Sequence, residues 1–275
     1  ATAPVLKSVR EDSSVRFKVK LTGVSTSEVR PVVKVGETVL SADEDGFYTL
    51  DVTDSNMDVN IFAVPVNGAT LNLAEVDVID PAEAKDVTSI ALAGDIDAEK
   101  VIDIIEQLPS LEQLDLSGLS VALPSEAMAG KETLVSVVLP NAADIEAGTF
   151  SGCTNLSSVQ VPECVDYIGE NAFKGCSSLK TLSFTGIKAV GANAFNGCDN
   201  LTSVTFIAAR PDSKPARVRR RAESSRPDSY SSDAFAGINP NCIIYLDENV
   251  DTPEAKANYV RVRTESSAEN RNRVY

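Results

Sequence analysis

Cys153, Cys176 and Cys198 stand 23 and 22 residues apart, each preceded by a glycine and followed three positions later by a leucine. A thiol can serve as a nucleophile, a metal ligand or half of a disulfide, but each role needs a partner converging on the sulfur. Sulfurs repeated at a nearly fixed step occupy one angular position on successive turns of chain. They form a parallel column, so they are expected to be buried free thiols acting as small, soft apolar side chains. Cys164 and Cys242 fall outside this spacing and are free to pair with each other; an odd total of five leaves at least one thiol unpaired. The chain has no histidine, which excludes Ser-His-Asp and Cys-His catalysis and any His-bound metal. Two acidic clusters have the right side chains for a cation. "DEDG" (43–46) offers Asp43, Glu44 and Asp45, but a hairpin turn closed by Asp-Gly accounts for it more simply. Asp95, Asp97 and Glu99 lack the glycine and distal glutamate of a calcium loop, and Asp97 has a sufficient role as a helix cap. No acid–base pair, activated nucleophile or phosphate-binding glycine loop is recognisable, so no catalysis, cofactor or metal is expected.

What positions the cysteines is a repeat. "TFSGCTNLSSVQV" (149–161), "AFKGCSSLKTLSF" (172–184) and "AFNGCDNLTSVTF" (194–206) align residue for residue. Phe150, Phe173 and Phe195 keep the same steps as the cysteines, as do Leu156, Leu179 and Leu201. A fixed period of this length belongs to a solenoid of stacked coils, none of which can bury its own apolar face. The pattern decays upstream: Met128 takes the Phe slot and Lys131 the Cys slot, and "LEQLDL" (111–116) and "VTSIAL" (87–92) keep only L-x-x-L-x-L. "DAFAGINPNCIIYL" (233–246) is a degenerate last copy. L-x-x-L-x-L is the leucine-rich repeat spacing, which predicts parallel strands with short helical or irregular segments on the convex side.

Alternation along each strand then assigns the solvent-facing positions. They are Gln113 and Asp115, Ser136 and Val138, Ser158 and Gln160, Thr181 and Ser183, and Ser203 and Thr205. The concave face is expected to be small and hydroxyl-rich, without Lys, Arg or aromatic residues. Isolated serines with no base are weak nucleophiles, so the face suits binding rather than chemistry.

The phrases "IEAGTFSGCTNLSSVQVP" (145–162) and "IGENAFKGCSSLKTLSF" (168–184) resemble the BspA-like, or Treponema-type, leucine-rich repeat. "NCIIYLDENVDTPEAKANYV" (241–260) is similar to that family's closing strand and helix. The resemblance spans about 87–260 and departs from the pattern at Met128 and Lys131. It implies an exported bacterial protein, extracellular or at the cell surface, that adheres to host proteins or other cells.

Residues 1–80 lack the repeat. "SVRFKVKLTG" (14–23) alternates with Val15, Phe17, Val19 and Leu21 on one face, and further short strands follow, through "ATLNLAEVDV" (69–78). This predicts an antiparallel, Ig-like β-sandwich domain over 1–80. A leucine-rich solenoid is expected over 81–246, with a convex helix in "GDIDAEKVIDIIEQLPSL" (94–111), capped by Asp97, in which Val101, Ile102, Ile105 and Leu108 share a face. "RPDSKPARVRRRAESSRPDSY" (210–230) marks an Arg/Ser/Pro-rich loop at about 207–232. Its Arg217, Arg219, Arg220 and Arg221 form a candidate site for an anion or an acidic partner. A capping helix and tail are expected over 247–275, covering the last core layer. Residues 1–206 carry 13 basic and 30 acidic side chains, whereas 207–275 carry 12 and 10. So acidic a body repels phosphate backbones, making nucleic acid an unexpected partner. No apolar run reaches bilayer length. The expectation is a monomer that binds a protein or glycan on a host or neighbouring cell; a glycan-binding module or a structural spacer are the alternatives.

Overall fold

The computed structural model describes residues 13–19, 28–53, 57–72, 79, 81–95, 97–141, 144–207, 231 and 233–246. The capping helix and the Arg-rich loop with Arg217, Arg219, Arg220 and Arg221 lie outside the described residues, as does Leu21.

Five strands come first: β1 (Ser13–Lys18), β2 (Val29–Val35), β3 (Thr38–Leu40), β4 (Phe47–Val52) and β5 (Val59–Pro65). All their pairings are antiparallel, in one sheet of order β3-β2-β5 and another of β1-β4. In β1 the half-buried Val15 and Phe17 alternate with the exposed Ser14, Arg16 and Lys18, as period-2 patterning requires. The Tyr48 hydroxyl of β4 donates to the Pro31 carbonyl of β2 at 3.3 Å, linking the two small sheets. Asp43 organises the turn before β4. Its Oδ1 accepts from the backbone N–H of Asp45 and Phe47, and its Oδ2 pairs with Arg16. The acidic cluster therefore functions as a turn.

β6 (Ala69–Asn72) is a correction. Its alternation predicts another antiparallel strand, but it pairs in parallel with β7 (Ser89–Gly94) and starts the solenoid sheet. Alternation reports which face is buried, not which way the neighbour runs. Between β7 and β8 (Gln113–Leu119) lies α1 (Ala98–Glu106), capped by the Asp97 carboxylate accepting from Lys100 N–H at 2.8 Å. Its buried face is Val101, Ile104 and Ile105 with Leu108 beyond, the i, i+3, i+4, i+7 stripe. Ile102, expected on that face, is only half-buried.

The coils continue with β9 (Ser136–Val138), β10 (Ser158–Gln160), β11 (Tyr167–Ile168), β12 (Thr181–Thr185), β13 (Ala189–Val190), β14 (Ser203–Ile207) and β15 (Ile243–Leu246). Among the described residues, every strand pairing from β6 onward is parallel. A second short ladder, β11-β13, forms another wall of the coil, extended by a bridge from Ile145 to Ile168. Along a third line the turns bond to each other: Phe150 N–H donates to Ala172 O at 2.8 Å and Phe173 N–H to Ala194 O at 2.8 Å.

Inside this frame the repeated side chains stack in file. Phe150 and Phe173 have ring centroids 5.4 Å apart, Phe173 and Phe195 5.7 Å, and Phe195 and Phe235 5.6 Å, with interplanar angles of 14°, 4° and 9°. Offset stacking of this kind contributes about 1 kcal/mol per pair beyond burial. All five cysteines are buried and none is in a disulfide, Cys164 and Cys242 included. The thiols of the column also act as donors. Cys153, Cys176 and Cys198 each donate S–H to a carbonyl of the preceding coil, Met128 O, Phe150 O and Phe173 O, at 3.0 Å. The Lys131 ammonium occupies the same slot one coil earlier and reaches Ile105 O at 3.4 Å. The slot holds a donor in these four coils, whereas the buried Ile238 fills it in the last copy.

Candidate functional site

The expected concave positions fall into two rows across the parallel strands. Gln113, Ser136 and Ser158 are register partners, as are Asp115, Val138 and Gln160. In the second sheet Thr181 pairs with Ser203, and Ser183 with Thr205. Between them lie inward-facing Leu114, Val137, Leu182 and Val204, all buried. Gln113, Ser158, Gln160, Thr181 and Ser183 are exposed, whereas Asp115, Ser136, Ser203 and Thr205 are half-buried. Asp115 is partly committed to structure: its Oδ1 accepts from Ser117 N–H at 2.8 Å, beside the bulge where β7 and β8 shift register.

β15 adds two residues to the rows beyond those expected from the sequence. Ile243 falls opposite Ser203, and Tyr245 opposite Thr205. The expectation of a face without aromatics holds from β8 to β14. The outward positions of the degenerate copy "NCIIYL" carry this signal, since they continue the same alternation.

The sheet is not continuous. One ladder runs β10-β9-β8-β7-β6 and another β12-β14-β15, and no ladder hydrogen bond joins β10 to β12. The step from Ser158 to Thr181 is 23 residues, the same as from Gln113 to Ser136, where β8 and β9 pair in full, so the repeat length does not account for the break. The slot filled by Val161 in one coil is filled by Phe184 in the next, and Phe184 stacks on Phe206 at 5.5 Å on its far side. The two coils remain stacked and bonded elsewhere, with Phe150 and Phe173 5.4 Å apart and Ser178 N–H donating to Thr154 O at 3.1 Å. Val159 and Val161 are half-buried, whereas Val137 and Val204 are buried at 1% and 0% exposure.

The chemistry of the face is hydrogen bonding: hydroxyls that donate and accept, one primary amide per row end, and a single carboxylate. Among the described residues no group of three or more Cys, Asp or Glu side chains is placed to hold a metal ion, and no helix is long and apolar enough to cross a membrane.

Parallel coils of 22 to 23 residues, stacked on Phe and Cys columns, define a leucine-rich repeat solenoid. Residues 106–210 match the BspA type leucine rich repeat region in six copies, so this part of the chain is a BspA-like leucine-rich repeat region. Among solved structures, the crystal structure of the pneumococcal vaccine antigen PcpA aligns with 76% of this chain and 67% of its own, at 13% identity and a TM-score of 0.35. No curated protein matches the chain.

Proposed function

We propose that the protein is a non-catalytic repeat protein of the bacterial surface that adheres to another macromolecule through its concave sheet. The observation that carries this reading is the register itself. Gln113, Ser158, Gln160, Thr181 and Ser183 project exposed donors and acceptors from adjacent coils of a stacked frame. Solenoids offer such extended surfaces, and their ordered spacing suits a ligand that makes many weak bonds at once. Surface placement and adhesion are supported by the family, an associational warrant that fold alone does not strengthen. An Ig-like arrangement of β1 to β5 would then present the solenoid away from its anchor. The Arg217–Arg221 segment belongs to the same proposal as a second contact for acidic partners. The test is binding of the full chain to immobilised matrix proteins and glycans. Ser158→Arg with Ser183→Arg should reduce binding at least tenfold while the melting temperature is kept. Unchanged binding in that variant refutes the concave face, and protease-resistant protein on intact producing cells refutes surface placement.

A further inference from the structure

We propose that the sheet of β2, β3 and β5 is the cap of the solenoid's first coil rather than part of a separate domain, and that the seam between them is fastened at Glu83. In a solenoid each apolar layer is covered by the coils on either side, so the first coil needs another cover for its outer layer. Among the described residues β6 is the terminal strand of its sheet, and no coil precedes it. Leu71 of β6 and Ile90 of β7 are nevertheless 1% and 2% exposed, as buried as Leu114 and Val137 of the coils that follow, at 2% and 1%. The cover comes from the antiparallel sheet. Val32 of β2 and Val64 of β5 are buried in the same apolar cluster as Leu71 and Ile90, with Val29 joining from the start of β2 and Phe62 packed against it.

The pairing of β2 with β5 makes this contact one-faced. Val32 is the register partner of Phe62, Arg30 of Val64 and Lys34 of Asn60, and directly opposed side chains share a face. The two cations of that face also reach the coil side. An Arg30 guanidinium N–H donates to the Glu83 carbonyl at 2.9 Å, and Lys34 Nζ lies 3.8 Å from Glu83 Oε1 and 5.7 Å from the Phe62 ring centroid. Glu83 immediately precedes Ala84, which is buried in the shared cluster, as is Val87. On the other face of β2, Val33 is buried but stands outside that cluster, as do Tyr48 and Leu50 of β4. One sheet therefore separates two cores and belongs to both. Domain boundaries fall in linkers that few contacts cross, and here only Val66, Asn67 and Gly68 separate β5 from β6. Asn67 ties that turn to the next coil: its Nδ2 donates to Asp86 O at 3.0 Å, and its Oδ1 accepts from Thr88 N–H at 2.6 Å. The division at residue 80 expected from the sequence then falls inside one folded body. The concave rows are held rigidly to β2 and β5.

The experiment is hydrogen exchange on the full chain and three variants. Val64→Ala removes packing on the coil-facing side. Its β7 amides should exchange at least tenfold faster than in the parent, and its β14 amides should change less than twofold, because a solenoid frays from the end that loses its cover. Leu50→Ala removes packing on the opposite face; it should quicken β4 and leave β7 within twofold of the parent. Arg30→Ala combined with Lys34→Met releases Glu83 without removing an apolar side chain, and should quicken β7 at least threefold. In Val64→Ala, β7 exchange within twofold of the parent overturns the cap, and a change in β14 as large as that in β7 overturns its restriction to the end coil. Loosening of β7 by Leu50→Ala as great as by Val64→Ala overturns the one-faced division. Unchanged β7 exchange in the double variant overturns the fastening at Glu83. Thermal melting of the parent chain tests the cap without any substitution: Val33 and Leu92 amides should lose protection at one midpoint, and separate midpoints overturn the proposal.

Discussion

In the hairpin of β2 and β3, Gly36 turns the chain at φ +57°, and nothing lies within 4 Å of where a Cβ would stand. In the solenoid, Gly169 has an ordinary φ, but a Cβ there would lie 2.4 Å from Ala147 N and 2.5 Å from Glu146 C. Glycine is needed for torsion at Gly36 and for space at Gly169. The hairpin of β1 and β4 is held by its own cross-strand pairs, so a fault there stays local, whereas Val29, Val32 and Val64 of β2 and β5 join the same apolar cluster as the coils. In the coils each slot repeats against the coil before it, so a fault at one slot displaces a whole layer.

The largest expected effect follows from that difference. Gly169→Ala forces a methyl group into the backbone of the preceding coil, where no side chain can give way. It should destabilise the solenoid by about 3 kcal/mol or more. Gly36→Ala should cost about 1 kcal/mol, the ordinary penalty of an L side chain at positive φ. Chemical denaturation of the two variants side by side checks the comparison; equal losses would mean that the coils are less closely packed than the geometry shows.

A second, intermediate effect separates the regions by pH, because no cysteine precedes residue 153. Burial pushes the Cys153 thiol up to about 11 and the Cys198 thiol up to about 12, and raises Cys176 as well, with neighbouring sulfurs adding to its shift. The folded values lie above the unfolded value of 9.0, so the folded state holds its thiol protons longer. The stabilisation is fully present below pH 9 and is lost as pH rises from 9 toward 12, where the unfolded chain ionises first. Cys198→Ala should cost about 1 kcal/mol at pH 7, through the lost S–H···O=C bond and lost packing. It should also flatten the fall in denaturation midpoint between about pH 9 and 11. Native thiols should stay unreactive toward a thiol reagent at about pH 8 until denaturant is added.

How much of this is legible in the sequence depends on what each feature repeats. Phe150, Phe173 and Phe195 declare their stacking because three copies share one slot, and a period is visible without knowing any contact. The concave rows follow from the same period plus alternation. β6 is not legible, since alternating residues in "ATLN" look alike whether the neighbour runs parallel or antiparallel. The donor role of Cys is hidden because a buried sulfur reads as apolar, although Lys131 in the same slot points to a shared hydrogen bond. Ile104 replaces Ile102 on the helix face because "VIDIIE" offers apolar residues at 101, 102, 104 and 105, and the final angle is set by packing. The break between β10 and β12 coincides with a change from Val161 to Phe184 and with a 23-residue step that, between β8 and β9, leaves the strands paired. Both are present in the sequence, but the break appears only when the coils are stacked.

The smallest expected effect lies in the N-terminal region and sharpens the contrast from the other side. Asp43 is exposed, and its carboxyl is held below its ordinary 3.8, first by the Phe47 backbone N–H it accepts and then by Arg16. The Arg16 guanidinium also lies 4.2 Å from the Phe47 ring centroid, so one arginine engages both the acid and the aromatic of the turn. The folded value is depressed, so whatever the carboxylate contributes is present above pH 3.8 and lost as pH falls through the lower folded value. Asp43→Asn keeps an acceptor for the Phe47 amide and loses the charge; Asp43→Ala loses both. Hydrogen exchange at Phe47 should therefore quicken slightly in the Asp43→Asn variant and more in the Asp43→Ala variant, while exchange at Phe173 and Ser203 stays as in the parent chain. A change in the coils of either variant would show that the turn and the solenoid form one cooperative unit, and the separation between local and layered stabilisation would fail at its weakest point.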